Sequence, residues 1–318
     1  MPKLRLALVG YGNAANLHLP GYRQLGPERC EVVAVCGHSR ERAQAYADKH
    51  AIPHAFGSLT ELLADVEVDA VDLVVPNHVH RQYAIEAAQA GKHVIVEKPL
   101  TGYFGEADTP EDEMVGKTVS KRHMLARVIA DCDAILDAVK SAGVKLCYAE
   151  NWCHAPAFTK LRRLVNTAGG TILRLEAEES HSGSPSIYAA DTTLGGVHNY
   201  LEAYLSNARV RANINPNDAC VAYAPADHIF GDEYLTEKIE TKGGWSCASP
   251  DDAWMQGYAH EIADFVGAIA EDREPLSGAI LARDVSIVLY AAYVSAEEGR
   301  RVEVKLCFGS RCPVAQVP

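Results

Sequence analysis

The 318-residue chain has no C-x-x-C pair, only 7% aromatic residues and no excess of positive charge. Its nine cysteines, at 30, 36, 132, 147, 153, 220, 247, 307 and 312, match neither a zinc-ribbon nor a redox spacing, so most are expected to be small buried hydrophobes. Thirty Lys and Arg against 42 Asp and Glu give a formal net charge of −12, which leaves no electrostatic footprint for nucleic acid or an anionic membrane surface. No apolar run approaches the roughly 20 residues of a membrane span. Residues 4–10 are too short for a signal peptide and run straight into a structured motif. A cytoplasmic protein with no membrane and no nucleic-acid partner is expected. His260-Glu261-Ile262-Ala263-Asp264 lacks the second His of a zinc protease motif and reads as a plain helix face, so no metal is expected. What the chain does have is 48% hydrophobic and 23% charged residues, enough for a sizeable core in one to three domains.

The first half alternates strand and helix patterns. Apolar runs at 4–10, 31–36, 68–75 and 93–96 read as buried strands, and 16–25, 40–50 and 80–90 as helices. Ser58, with Glu61 three residues later, predicts a further helix start, and Gly91 a helix end. Such alternation implies a parallel, doubly wound sheet.

Gly10-Tyr11-Gly12-Asn13-Ala14-Ala15 follows the first strand and opens the first helix. In that context Gly10 allows a tight turn, Gly12 lets a pyrophosphate approach the backbone, and Ala15 lets the helix pack near the sheet. A site that selects NAD carries an Asp or Glu about 20 residues further on; here the second strand ends in Cys36-Gly37-His38-Ser39-Arg40. With no carboxylate to repel a 2′-phosphate, and with Ser39 and Arg40 in place to bind one, the pattern favours NADP over NAD. The alternative is that Arg40 only begins a solvated helix face with Glu41 and Arg42.

Together with the glycine turn and His18, the stretches Val75-Pro76-Asn77-His78-Val79-His80 and Val94-Ile95-Val96-Glu97-Lys98-Pro99-Leu100 resemble the glucose-fructose oxidoreductase and inositol dehydrogenase family, Gfo/Idh/MocA. The resemblance implies a nicotinamide cofactor bound near Gly10, Gly12, Asn13, Ala15, Ser39, Arg40, Pro76, Asn77, His80, Glu97 and Lys98. It also implies that Lys98 orients the substrate and takes part in proton transfer, and that the Lys98–Pro99 bond is cis. The chemistry agrees with the spacing, because an alcohol that loses hydride must also shed its hydroxyl proton to a group at the carboxyl ends of the strands. Without the resemblance, Lys98 reads equally as a lysine snorkelling at a strand end.

By the same resemblance, 145–149 is the last strand of a nucleotide domain (1–149). Residues 150–157, with Asn151 and Trp152 as substrate contacts, begin a substrate and oligomerisation domain (150–304), followed by a tail (305–318). Residues 102–123, acidic first and then basic, read as an exposed, mobile inserted loop. The expected second domain is α+β, with an open, mostly antiparallel sheet that mediates a homo-oligomer. Strand patterns lie at 171–178, 197–205 and 209–214, and helices at 257–269 and 279–297.

His181 either touches substrate hydroxyls or is a structural histidine. The family's glycine-opened helix bearing an acid and a catalytic His is not intact: after Gly195-Gly196, His198 comes too early to sit one turn into a helix, so a shortened second domain is expected. Two functions stay open. One is an NAD(P)-dependent oxidoreductase moving hydride to or from a secondary alcohol of a sugar or cyclitol. The other is a nucleotide-binding paralogue or sensor with impaired catalysis.

Overall fold

The computed structural model describes residues 3–110, 112–168, 170–180, 198–206, 209–215, 222–224, 244–246 and 252–307. Its first part is built from β1 (Leu4–Val9), α1 (Asn13–Leu25), β2 (Cys30–Cys36), α2 (Arg40–His50), β3 (His54–Phe56), α3 (Leu59–Asp65), β4 (Ala70–Leu73), α4 (His80–Gln89), β5 (His93–Glu97), α5 (Val115–Thr118), α6 (Lys121–Ala142) and β6 (Leu146–Ala149). The six strands form one parallel sheet in the order β3-β2-β1-β4-β5-β6. The order reverses between β1 and β4, which is where open α/β sheets bind ligands outside their carboxyl ends.

Helices cover both faces, which is why the strands read as near-continuous apolar runs. On one face Ala15, Leu19 and Tyr22 of α1 and Ala43 and Ala47 of α2 pack with Leu6, Leu8 and Ile95. On the other, Leu59 and Leu62 of α3, Ala84 and Ala88 of α4, and Val128, Ile135 and Val139 of α6 pack with Val9, Leu73 and Val96. Ser58 caps α3 by accepting a hydrogen bond from the Glu61 N–H at 3.2 Å, as expected.

The chain continues through a short 3-10 turn (Asn151–His154), α7 (Pro156–Ala168), β7 (Ile172–Ser180), β8 (His198–Leu205), β9 (Arg209–Asn215), β10 (Ala222–Ala224), β11 (Gly244–Ser246), α8 (Asp252–Met255), α9 (Tyr258–Ala270) and α10 (Ala279–Glu298). β7, β8 and β9 form an antiparallel sheet, and β10 and β11 pair antiparallel. Alternation puts Leu201, Ala203 and Ala212 on the face that packs on Leu161 and Val165 of α7. The other face carries Glu202 paired with Arg209 and Arg211, with Arg211 3.8 Å from the Tyr200 ring centroid.

Two compact units result, one comprising Met1–Glu150 with the chain from Glu261 through α10, the other Asn151–His260. Residues 261–304, assigned by the sequence to the second domain, therefore belong with the nucleotide sheet. Ile262, Phe265 and Val266 of α9 join the α1 face, and Ala282 of α10 joins the α6 face. Linear order hides such a return of the chain.

Two further expectations are corrected. The loop expected at 102–123 ends at Ser120, whose side chain caps α6, so Lys121 and Arg122 are helical. Glu106 in that segment pairs with His123 at 3.1 Å and Arg127 at 3.3 Å, and Arg122 pairs with Glu298. The charge run masked the helix start. In addition, α10 is long and apolar enough, by length and composition alone, to cross a membrane, contrary to the expectation that no run approaches that length. Arg283 and Asp284 interrupt its apolar run. The helix packs on α6, buries Ala282, Ile287, Ala291 and Val294, and pairs Arg283 with Asp133 at 2.7 Å, the pattern of a core helix.

Candidate dinucleotide site

The two glycines of the first turn do different work. Gly10 has φ +114°, and a Cβ there would stand 2.3 Å from the Val74 carbonyl oxygen, so the approach of β1 to β4 requires glycine. Gly12 precedes α1 with an ordinary φ of −86°, and a Cβ there would meet nothing within 4 Å. The fold does not need glycine at 12; the space above it is a backbone cradle open to a ligand at the N-terminus of a 13-residue helix. Asn13 is exposed beside it, and fully buried Ala15 lets α1 lie against the sheet.

At the end of β2, Cys36 is buried and its thiol is pushed up to about 12 by desolvation, so it is inert. The Ser39 hydroxyl caps α2, accepting from the Arg42 N–H at 3.3 Å, and exposed Arg40 lies 3.8 Å from Glu61. After β4, Pro76 and Asn77 lead into a single 3-10 turn. His80 was expected at the cofactor but is 1% exposed, with Nδ1 2.9 Å from the Pro99 carbonyl and Nε2 2.9 Å from that of Val75. Burial lowers its pKa against the pull of both carbonyls. It ties the exits of β4 and β5 together and leaves no ring nitrogen for a ligand.

β5 ends in Glu97, followed by exposed Lys98 and a cis bond to Pro99. The Glu97 Oε2 accepts from the Lys98 backbone N–H at 2.9 Å, while Oε1 lies 3.2 Å from His18 Nε2, at ion-pair distance but off a hydrogen-bond line. His18 Nδ1 is 2.8 Å from Asp72 Oδ2, which also accepts from the Tyr22 hydroxyl at 2.9 Å. Burial alone would lower the His18 pKa, yet Asp72 and Glu97 raise it well above its usual value, so the ring is held as an imidazolium between two carboxylates. For Glu97, burial pushes up and His18 pulls down harder, leaving its pKa below the ordinary value. Glu261 of α9 is also fully buried; neither of its oxygens has a hydrogen-bond partner among the described residues, and burial raises its pKa well above the usual carboxyl range.

Gly10, Gly12, Asn13, Ser39, Arg40, Pro76, Asn77, Glu97 and Lys98 thus stand at the carboxyl ends of four neighbouring strands. Asn151 and Trp152, the expected substrate contacts, open the second unit. Asn151 is buried and donates from Nδ2 to the Gln256 carbonyl at 2.9 Å. His198 is the first residue of β8 and pairs in register with Ser180. His181 and the Gly195-Gly196 pair lie outside the described residues. The sequence reading missed Tyr22, Asp72 and Glu261. Asp72 left a signal, an acid set inside the apolar run VDAVDLVV.

Residues 4–113 match the profile of the GFO_IDH_MocA family, described as oxidoreductase family, NAD-binding Rossmann fold. Over this stretch the chain carries the NAD-binding Rossmann domain of the Gfo/Idh/MocA family. It is 38% identical over 122 residues to an uncharacterized oxidoreductase of Rhizobium meliloti, covering 38% of this chain and 36% of that protein. To the scyllo-inositol 2-dehydrogenase (NADP(+)) IolU of Bacillus subtilis it is 29% identical over 204 residues, 64% of this chain and 53% of that one. It spans about a third of the length of the first curated relatives it matches. In fold it resembles the crystal structure of GenD2 from gentamicin A biosynthesis in complex with NAD, with a TM-score of 0.69 at 20% identity, over 96% of this chain and 97% of that one.

Proposed function

We propose that this protein is an NAD(P)-dependent oxidoreductase that transfers a hydride between a nicotinamide cofactor and a secondary alcohol of a sugar or cyclitol, with NADP preferred. One observation carries the reading: the open backbone cradle at Gly12 and the exposed side chain of Lys98 lie at the carboxyl ends of β1 and β5, on either side of the switch point. When bound, the nicotinamide supplies the hydride acceptor or donor. The α1 N-terminus and the Gly12 backbone hold the pyrophosphate, and Asn13, Pro76 and Asn77 border it. Lys98 makes no ion pair among the described residues, so its side chain is available to orient the carbinol oxygen, taking up its proton as the neutral amine and returning it as the ammonium.

The name of the Bacillus subtilis relative supports both a cyclitol substrate and NADP. Exposed Leu173 and Leu175 on β7 support a homo-oligomer formed through the second-unit sheet. The free thiols of Cys30, Cys36, Cys132 and Cys147 accord with a reducing, cytoplasmic compartment.

The test is to titrate NADPH and NADH by fluorescence and then follow reduction of NADP and NAD over inositols, glucose, glucosides and anhydrosugars. Nucleotide binding with turnover on one of these classes is the expected result. Absence of nucleotide binding overturns the whole reading. Binding without turnover on any member of the panel overturns the dehydrogenase part in favour of the impaired paralogue, whose motive is the missing glycine-opened helix with its acid and His.

A further inference from the structure

The ring of Tyr11, the residue between the two glycines, lies over Gly37. A Cβ at 37 would stand 2.4 Å from Tyr11 Cε1 and 3.1 Å from both Cδ1 and Cζ. The ring is partly buried against the core of α1, α2 and β1, its hydroxyl is closed to solvent without a hydrogen-bond partner among the described residues, and the His38 ring is tilted 36° to it at a centroid distance of 6.0 Å. Gly37 is where a dinucleotide site of this topology places the carboxylate that accepts hydrogen bonds from the adenosine ribose. We propose that Tyr11 is the specificity-determining residue of the site, holding the carboxylate position at the end of β2 closed so that the chain takes the 2′-phosphorylated dinucleotide. This rests on the dinucleotide reading above and goes beyond it.

The physical content is a coupling between two positions. A missing acid is usually a one-residue matter, reversed by restoring the acid. Here the first atom of any side chain at 37 enters the Tyr11 ring, and turning the ring away removes its apolar face from the core and carries an unpartnered hydroxyl with it. Glycine at 37 follows from tyrosine at 11. The phosphate of a 2′-phosphorylated ribose then meets no carboxylate at 37, and exposed Arg40, whose contact with Glu61 is a long 3.8 Å, is a cation within the same turn.

The experiment is a four-member cycle, unmodified chain, Tyr11→Ala, Gly37→Asp and Tyr11→Ala/Gly37→Asp, with NADPH and NADH affinities from fluorescence titration and unfolding midpoints as a fold check. The unmodified chain is expected to bind NADPH about tenfold or more tighter than NADH. Gly37→Asp alone should weaken NADPH about tenfold without gaining NADH, and the double variant should bind NADH about tenfold tighter than Gly37→Asp. If Gly37→Asp alone gains NADH as fully as the double variant, Tyr11 closes nothing and the proposal fails. Should Gly37→Asp not fold, Gly37→Ala takes its place: its loss of NADPH affinity must be restored by Tyr11→Ala, and independent effects of the two changes overturn the coupling. An unmodified chain that binds neither nucleotide overturns the dinucleotide reading itself, a result distinct from binding without coupling.

Discussion

His18 Nδ1 lies 2.8 Å from Asp72 Oδ2 with both side chains closed to solvent. The pair joins α1, which opens at the nucleotide cradle, to β4 across the switch point, and through Glu97 it reaches the strand end that carries Lys98. A single imidazolium between two carboxylates therefore ties three segments of the candidate site together.

Replacing His18 with Gln leaves Asp72 and Glu97 without their cation, and breaking a buried pair in this way costs about 3–5 kcal/mol. The penalty depends on pH. Because the folded pKa of His18 is raised, its contribution is complete below the unfolded value of 6.5 and is lost as pH rises through the higher folded value. Because that of Glu97 is lowered, its contribution is present above 4.5 and lost as pH falls through the folded value. The gap between unmodified chain and His18→Gln, measured by urea unfolding, is expected to be largest between pH 4.5 and 6.5 and smaller at pH 9. An equal gap at pH 5.5 and 9 would show that the ring is neutral.

Glu261 has the opposite sign to Glu97. Its raised pKa means that the folded state holds a proton the unfolded state releases above 4.5, so stability falls as pH rises from there, by at most about 1.4 kcal/mol per pH unit. Gln has the shape of the protonated acid and does not titrate. Glu261→Gln is therefore expected to unfold like the unmodified chain at pH 4 and to be more stable at pH 8. A variant less stable at pH 8 would show that a charged Glu261 is paired.

The nucleotide half was legible because its signals are local. The runs at 4–10 and 31–36, the pattern of 40–50 and the Ser58 cap each state their element within a few residues, and β1, β2, α2 and α3 follow them closely. β3, with only His54–Phe56, is too short to leave a pattern. The buried cluster was not legible because His18, Asp72, Glu97 and Glu261 meet only through the sheet order and the return of the chain in α9. His80 illustrates the converse: a histidine next to a motif was read as a ligand, when the two carbonyls that hold it come from Val75 and Pro99.

The two glycines allow fold and binding to be separated. Gly10→Ala forces a β-carbon toward the Val74 carbonyl and an L residue into φ +114°, so it should lower the unfolding midpoint, with a cost of about 1–3 kcal/mol. Gly12→Val meets no protein atom at its Cβ and should unfold close to the unmodified chain while losing most affinity for NADPH. Unchanged NADPH titration in Gly12→Val would remove the cradle from the site.

Lys98 is exposed and free of ion pairs among the described residues, and what fixes its position is the backbone hydrogen bond to Glu97, which a side-chain substitution leaves intact. Truncating it should therefore separate binding from chemistry. Lys98→Ala is expected to keep NADPH affinity within about threefold, since one exposed ammonium contributes little to a ligand held mainly by backbone groups. Its turnover on whichever polyol the unmodified chain accepts should fall about 10²–10⁴-fold, the usual worth of a positioned acid–base group. Lys98→Arg keeps the charge but titrates far above any working pH, so it should restore orientation and not proton transfer. The expected signature is a KM near that of the unmodified chain with kcat still depressed. A Lys98→Ala protein that turns over at the unmodified rate would move the proton-handling role to another side chain, with His181 and His198 the next to be replaced.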